Sequence, residues 1–306
     1  MEKPRIAQEA FPLEIAPGIR MLGNYYFNLF LVAGETESAL FEAGVSGVVD
    51  SVIAQLVQLG DEPDLLIVSH PHADHLTGLP GLRERYPGAE ILAAAGAGEF
   101  AAHPKAAAAL IQEDAFMSRR LAKIGFPPGR PSLSVAPDLG NHRVIREKTD
   151  LNLGGGVVLT LIPVSGHSPG NLMAFEHRHR VLFCSDSLGF HYPGRGFWPL
   201  FFTGATAYLS TLDLIETLNP KIICPAHQGP IRGTDIRDCL ALSRQTTLEF
   251  IDRVRTDTRD DETLAATLFK ESYRDEFTLY TQTNIDNCNR LLIRRARELT
   301  LEKELS

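Results

Sequence analysis

A chain of 306 residues, 44% of them hydrophobic, can bury a large core as one domain or as a domain with an extension, which excludes an intrinsically disordered polypeptide. The net charge of −8 excludes a sequence-independent phosphate-binding surface, which needs clustered Lys and Arg, so no nucleic acid partner is expected. Glu2, Lys3, Arg5, Glu9 and Glu14 leave no signal-peptide core in residues 1–20, and no later run reaches transmembrane length, so a soluble, cytoplasmic protein without membrane contact is expected.

Residues 19–22, 27–32 and 38–42 read as short strands separated by Gly23 and the Gly34-Glu35-Thr36-Glu37 turn. Val49, Ile53, Leu56 and Leu59 have the spacing of a helix with one buried stripe over residues 48–59. Leu65, Leu66, Ile67 and Val68 then form an apolar run suited to a buried strand, followed directly by Ser69-His70-Pro71-His72-Ala73-Asp74-His75. Residues 70–75 thus hold three imidazoles and one carboxylate at the carboxyl end of a strand, where open α/β sheets hold ligands. That donor set implies a divalent metal site; a turn capping the next helix would need Asp74 alone. Residues 79–86 form a short helix and 90–93 another strand. Residues 94–124 are mostly helix, broken near His103-Pro104 and stopped by Pro127-Pro128-Gly129. We read about 94–125 as a helical insertion over the site.

The second half begins with strands at 143–148 and 157–163, separated by Gly154-Gly155-Gly156, and a hairpin at 172–176 and 181–184. His177, Arg178, His179 and Arg180 fall in that hairpin's turn and are read as solvated charge. Residues 205–218 form a helix with Tyr208, Leu209, Leu212 and Ile215 on one stripe, and 222–224 the strand after it. Beyond 235 the apolar spacing of Ile236, Leu240, Thr247, Ile251 and Val254, then of Ile285, Cys288, Leu292, Ala296 and Leu299, predicts two helices. The domain reading is a core of 1–234 and a helical extension of 235–306 packed over it. Cys184, Cys224, Cys239 and Cys288 are widely spaced without a Cys-x-x-Cys pair, so free thiols are expected.

His167, Asp186 and His227 each sit just past a strand beside small residues, in Ser165-Gly166-His167, Cys184-Ser185-Asp186 and Cys224-Pro225-Ala226-His227. Alone, each would be an ordinary turn residue. Together with the first cluster they make five imidazoles and two carboxylates, a set suited to two divalent ions that lower the pKa of a shared water.

In His-x-His-x-Asp-His followed by His, Asp and His at successive strand ends, the chain resembles the metallo-β-lactamase superfamily across residues 20 to 235. The resemblance implies an α/β fold, a four-layer αββα sandwich, here with a C-terminal helical extension. It implies that His70, His72 and His167 hold one metal, that Asp74, His75 and His227 hold the second, and that Asp186 bridges them. Leu40-Phe41-Glu42-Ala43-Gly44, Phe183-Cys184-Ser185-Asp186-Ser187-Leu188-Gly189-Phe190, Trp198-Pro199-Leu200 and Gly229-Pro230-Ile231-Arg232-Gly233 are similar to the quinolone-signal response thioesterases of PqsE type. That resemblance implies C-terminal helices lying over the active site. Pro71 and Ala73 stand where larger residues are the rule.

The function expected is a metal-dependent hydrolase in which a metal-bridging hydroxide attacks a thioester or ester of a small acyl substrate, acyl-CoA included. Asp74 and Asp186 act at the catalytic centre, with zinc or iron as the pair of cations and manganese also compatible. A thiolate leaves with little protonation, whereas an amide would need a general acid that is not evident. Glu42 is read either as an acceptor that orients a metal-binding His or as an ordinary strand-end carboxylate. Phe190, His191, Trp198, Phe201 and Tyr280 are candidate substrate-pocket residues, with packing against the helical extension as the alternative. A small-molecule phosphodiesterase, and a regulatory protein that binds a partner and hydrolyses secondarily, are the alternative functions; a homodimer is left open. Oxidoreduction at a di-iron centre is disfavoured, since relatives with that activity usually replace ligands of the first cluster.

Overall fold

The computed structural model describes residues 6–192 and 196–304. In the first of two facing sheets, Leu13–Ala16 (β1), Ile19–Gly23 (β2), Asn28–Ala33 (β3) and Ser38–Phe41 (β4) run antiparallel. Leu65–Val68 (β5), Glu90–Ala94 (β6) and Arg143–Ile145 (β7) continue it in parallel. The second sheet takes Thr149–Gly154 (β8), Val157–Val164 (β9), Asn171–Glu176 (β10) and Val181–Ser185 (β11) as antiparallel neighbours. After a ribbon of Phe190–Tyr192 (β12) and Gly196–Trp198 (β13), Ile222–Pro225 (β14) joins β11 in parallel and Ile231–Arg232 (β15) ends the sheet.

Side chains alternate between faces with the strand period of two, and this alternation creates the layers. On β3, Phe30 and Val32 point between the sheets while Leu29 and Leu31 point outward; Phe183 and Leu182 divide the same way on β11. Phe183 lies 5.1 Å from Phe30 and 5.8 Å from Phe41, ring to ring, at the centre of the inner core. Burying each ring stabilises the sandwich by about 2–3 kcal/mol.

Helices cover the outer faces. Val49–Leu59 (α1) buries Val49, Val52 and Leu56 and stops at Gly60, whose left-handed φ of 70° lets its N–H reach the Leu56 carbonyl. Ala73–Leu76 (α2), Leu79–Arg85 (α3), Ala97–Ala102 (α4) and Pro104–Lys123 (α5) follow. The break anticipated at His103-Pro104 is real: His103 is extended and Pro104 opens α5, where its missing N–H costs nothing. Ala205–Leu218 (α6) buries Tyr208, Leu212 and Ile215. Thr234–Thr256 (α7), Asp261–Ser272 (α8) and Gln282–Glu304 (α9) form the C-terminal helices. Among the described residues no helix is long and apolar enough to cross a membrane.

Two local expectations are corrected, and one element appears where none was expected. Residues 143–148 are not one strand paired across the glycine turn: Arg143–Ile145 ends the first sheet, and Thr149–Gly154 is the hairpin partner of β9. The chain changes sheets there, which a run of polar residues does not announce. The ribbon β12–β13 forms in a stretch whose aromatic spacing follows no single period. Helix α8 is also additional; it buries only Leu264, Ala265 and Leu268 among its apolar residues, a stripe too short to stand out.

Candidate metal centre

Four strand ends and one short helix bring the polar residues together at one edge of the sandwich. His70 follows β5, His72 caps α2, and Asp74 and His75 lie in its first turn. His167, Asp186 and His227 come from the loops after β9, β11 and β14. All seven converge as two groups, His70, His72, His167 and Asp186 in one and Asp74, His75 and His227 in the other, with donor atoms of each group within 4.8 Å of one another.

In the first group His70 Nε2 lies 3.0 Å from His72 Nδ1 and 3.1 Å from His167 Nε2, and the last two are 3.2 Å apart. Donors placed tetrahedrally around one zinc-sized ion stand about 3.3 Å apart. In the second group Asp74 Oδ2 is 3.3 Å from His75 Nε2 and 3.5 Å from His227 Nε2. Asp186 lies between them, its Oδ2 3.5 Å from His167 Nε2 and 3.4 Å from His75 Nε2, its Oδ1 3.4 Å from His227 Nε2. The donor set, five imidazoles and two carboxylates gathered in two groups around Asp186, fits two divalent cations.

The opposite ring nitrogens are held in turn. His167 Nδ1 donates to the Leu200 carbonyl at 2.9 Å and His227 Nδ1 to the Tyr26 carbonyl at 2.6 Å. His75 Nδ1 donates to Glu42 Oε2 at 3.0 Å, and the Ser69 hydroxyl donates to the same oxygen at 2.6 Å. Ser69 also stands 3.1 Å from His70 Nδ1. Each contact fixes a tautomer and turns Nε2 toward the centre. The sequence reading missed Ser69 and the two carbonyls; backbone acceptors carry no side-chain signal. Glu42 (φ 81°), Ser185 (φ 49°) and Gln228 (φ 64°) all adopt the left-handed region at this edge, and such strain gathers where surroundings over-determine a functional geometry. Glu42→Gln keeps the size but weakens the acceptor for His75; affinity for the second metal should fall about 10- to 100-fold, read by competitive chelator titration. Unchanged affinity would reduce Glu42 to a packing residue.

Burial is the largest influence on every group here, and the neighbours decide the outcome. It lowers His70, His72 and His167, with mutual repulsion adding at His70 and His72, so that His72 falls to about 3. These rings are neutral at pH 7. For His75 burial is outweighed by Asp74, Glu42 and Asp186, and for His227 by Asp186 and Asp74, so both are raised. Burial would raise Asp74 and Asp186, yet His75 and His227 hold both well below the usual carboxylate range.

A pH dependence follows for the metal-free protein. The raised histidines contribute stability that is full below about pH 6.5, their unfolded value, and lost as pH rises through their folded values. The lowered histidines act oppositely, costing stability as pH falls below about 6.5. Metal binding requires neutral rings. Filling the three-histidine group at pH 7 should therefore release few protons, and filling the second group, whose His75 and His227 are both raised, should release more. Calorimetry in two buffers of different ionisation enthalpy measures this; equal proton release at both steps contradicts it.

Residues 25–227 match the metallo-beta-lactamase superfamily model. The chain belongs to the metallo-beta-lactamase superfamily. A beta-lactamase domain protein from Burkholderia ambifaria superposes with a TM-score of 0.70 at 20% identity, over 98% of this chain and 93% of that one. A metallo-beta-lactamase family protein from Thermus thermophilus gives 0.64 at 20% identity, over 92% and 94%. Among curated proteins, the type A flavoprotein fprA of Rhodobacter capsulatus is 26% identical over 79% of this chain and 57% of its own length. The acyl-coenzyme A thioesterase MBLAC2 of Gallus gallus is 25% identical over 52% and 56%. The chain thus spans a little over half the length of these curated relatives.

Within this metallo-beta-lactamase scaffold the candidate pocket residues separate. Phe190, Trp198 and Tyr280 line a cleft of about 370 Å³ beside His72 and His167. His191 lines another of about 290 Å³ beside His227. Phe201 lines neither; it is fully buried against Tyr208 and Phe250. Phe202, part of the same aromatic run after Asp186, faces the first cleft, its ring 5.4 Å from His167. Tyr280 donates a 2.7 Å hydrogen bond to Asp74 Oδ2, so the C-terminal segment does fold back onto the centre. Glu113 of α5 fastens it there by accepting from the Thr281 N–H at 3.0 Å and from its hydroxyl.

Proposed function

We propose that the protein is a hydrolase using two divalent cations to cleave a thioester or ester of a small acyl substrate. One observation carries the reading: a single buried carboxylate, Asp186, lies within 3.5 Å of ring nitrogens in both donor groups. Bound in such a pair of sites, zinc, iron or manganese polarises a carbonyl and lowers the pKa of water toward neutrality.

The chain's own side chains contribute orientation and exclusion of solvent. His70, His75, His167 and His227 are held by their second nitrogens, so no reorganisation is needed when substrate arrives. Phe100 and Phe202 stand 6.2 Å and 6.1 Å from the His72 ring and keep bulk water from that side. The Tyr280 phenol, raised well above its ordinary pKa by burial and then by Asp74 and Asp186, stays protonated and can only donate at this position. A thioester suits the site because its leaving thiolate needs little protonation, and the likeness to an acyl-coenzyme A thioesterase supports the same class. The similarity to PqsE-type thioesterases points the same way. No Lys or Arg is among the described residues lining either cleft, which counts against a phosphodiester.

The deciding experiment assays metal-loaded and chelator-stripped protein against acyl thioesters, carboxylic esters and an aryl phosphodiester. Metal-dependent thioester cleavage with the highest kcat/KM is expected. Equal rates after stripping, or preference for the phosphodiester, refute the proposal.

A further inference from the structure

Two separate clefts meet at the candidate metal centre, and the proposed chemistry does not by itself require both. The larger is walled by Phe100, Ala109, Leu110, Trp198, Phe202 and Ile285, from α4, α5, the segment after β12 and α9. The smaller is walled by Tyr25, Phe197, Ile231, Cys239 and Leu242, from the loop after β2, the ribbon, β15 and α7. Asp186 and Phe190 line both. The larger cleft approaches the centre past His72, Asp74 and His167 and the smaller past His227, so apart from the shared Asp186 they open onto it past different candidate ligands.

Both walls are predominantly apolar, and the charged side chains they contain beyond the metal-binding set are carboxylates, Glu113 in one and Asp238 in the other. An anionic limb would meet negative charge and no compensating cation among the described lining residues. Volumes of about 370 and 290 Å³ lie near the lower end for small-molecule sites, so together they suit one molecule of modest size, not a polymer.

We infer that the substrate is an uncharged thioester or ester carrying an apolar limb on each side of the scissile bond, with the acyl limb in one cleft and the leaving limb in the other. This rests on the hydrolase reading for the bond that breaks. Hydrolysis adds water across the acyl carbon–sulfur or carbon–oxygen bond and yields a carboxylic acid and a thiol or alcohol. The carbonyl lies above Asp186, and Phe190 separates the two limbs.

Dialkyl ketones test the two-limb site without turnover, because they keep the carbonyl and both limbs and cannot be hydrolysed. On the zinc-loaded protein, affinities are measured for acetone, butyl methyl ketone and dibutyl ketone. Burial of apolar limbs is worth roughly fourfold per methylene, so each butyl limb should tighten binding at least about tenfold. Ala109→Phe and Leu242→Trp each fill one cleft. In either variant the first butyl limb should still tighten binding, because one cleft remains, and the second should add nothing; in the double variant neither limb should help. The inference is overturned if dibutyl ketone binds wild type no more than about threefold tighter than butyl methyl ketone, or if one variant alone removes both gains. The wild-type comparison decides by itself should a variant fail to fold. Cleavage of S-butyl pentanethioate is assayed in parallel. The ketone pattern without metal-dependent cleavage refutes the hydrolase reading and leaves the two-limb site standing; cleavage without the pattern does the reverse.

Discussion

Asp186→Asn should lower kcat/KM by roughly 10³-fold and weaken retention of the metal, because the Asp186 carboxylate lies within 3.5 Å of ring nitrogens in both donor groups. The substitution keeps the volume and removes the charge. Two divalent cations would then face five neutral imidazoles and one remaining carboxylate, Asp74. The new amide would also turn an N–H₂ group toward His75, His227 or His167, where donors already crowd. Without metal the loss differs: this carboxylate is among the groups that raise His75 and His227, and removing one member of a buried ionic cluster costs about 3 kcal/mol. Elemental analysis, steady-state kinetics and urea denaturation of the stripped protein read the three effects. A variant that kept both metals and activity within tenfold of wild type would show that Asp186 does not join the sites.

Gly166→Ala should be among the most damaging substitutions outside the metal-binding set, destabilising by on the order of 4 kcal/mol. Gly166 has φ 105°, and an added Cβ would lie 2.3 Å from Tyr208 N and 2.4 Å from its Cα, backbone atoms at the start of α6 that cannot swing aside. Overpacking of this kind costs about 1–3 kcal/mol and the strained φ a similar amount. The Gly166 carbonyl also accepts from the Thr203 and Gly204 N–H groups, so relief by moving the loop would displace His167 and the backbone ahead of α6 together. A shift of about 1 Å in His167 is enough to lower kcat about 100-fold. Gly60→Ala is the control: it shares a positive φ of 70° but meets nothing within 4 Å, so about 1 kcal/mol is expected. Equal losses for the two variants would mean that the backbone angle, and not the contact with Tyr208, sets the cost at Gly166.

The order of elements through most of the core, and the seven metal-binding candidates, were legible in the chain itself. Strands with period two and helices with one apolar stripe follow from local geometry, and His70, His72, Asp74 and His75 lie so near one another that a short turn suffices to gather them. Of what surrounds those seven, Glu42 and Tyr280 were named as candidates, but the contacts they make were not legible, because these depend on partners far apart in sequence. Tyr280 reaches Asp74 across 206 positions, and His227 is oriented by a carbonyl 201 positions away. The aromatic run after Asp186 was ambiguous for the same reason: Phe201 and Phe202 are chemically alike and adjacent, and only the backbone path turns one into the core and the other toward His167. Spacing along the chain singled out His70, His72, Asp74 and His75, and the resemblance to a known family implied the set of seven. Their convergence, their protonation, and the division of the space around them into two apolar clefts were decided by tertiary packing, since burial and long-range neighbours set all three.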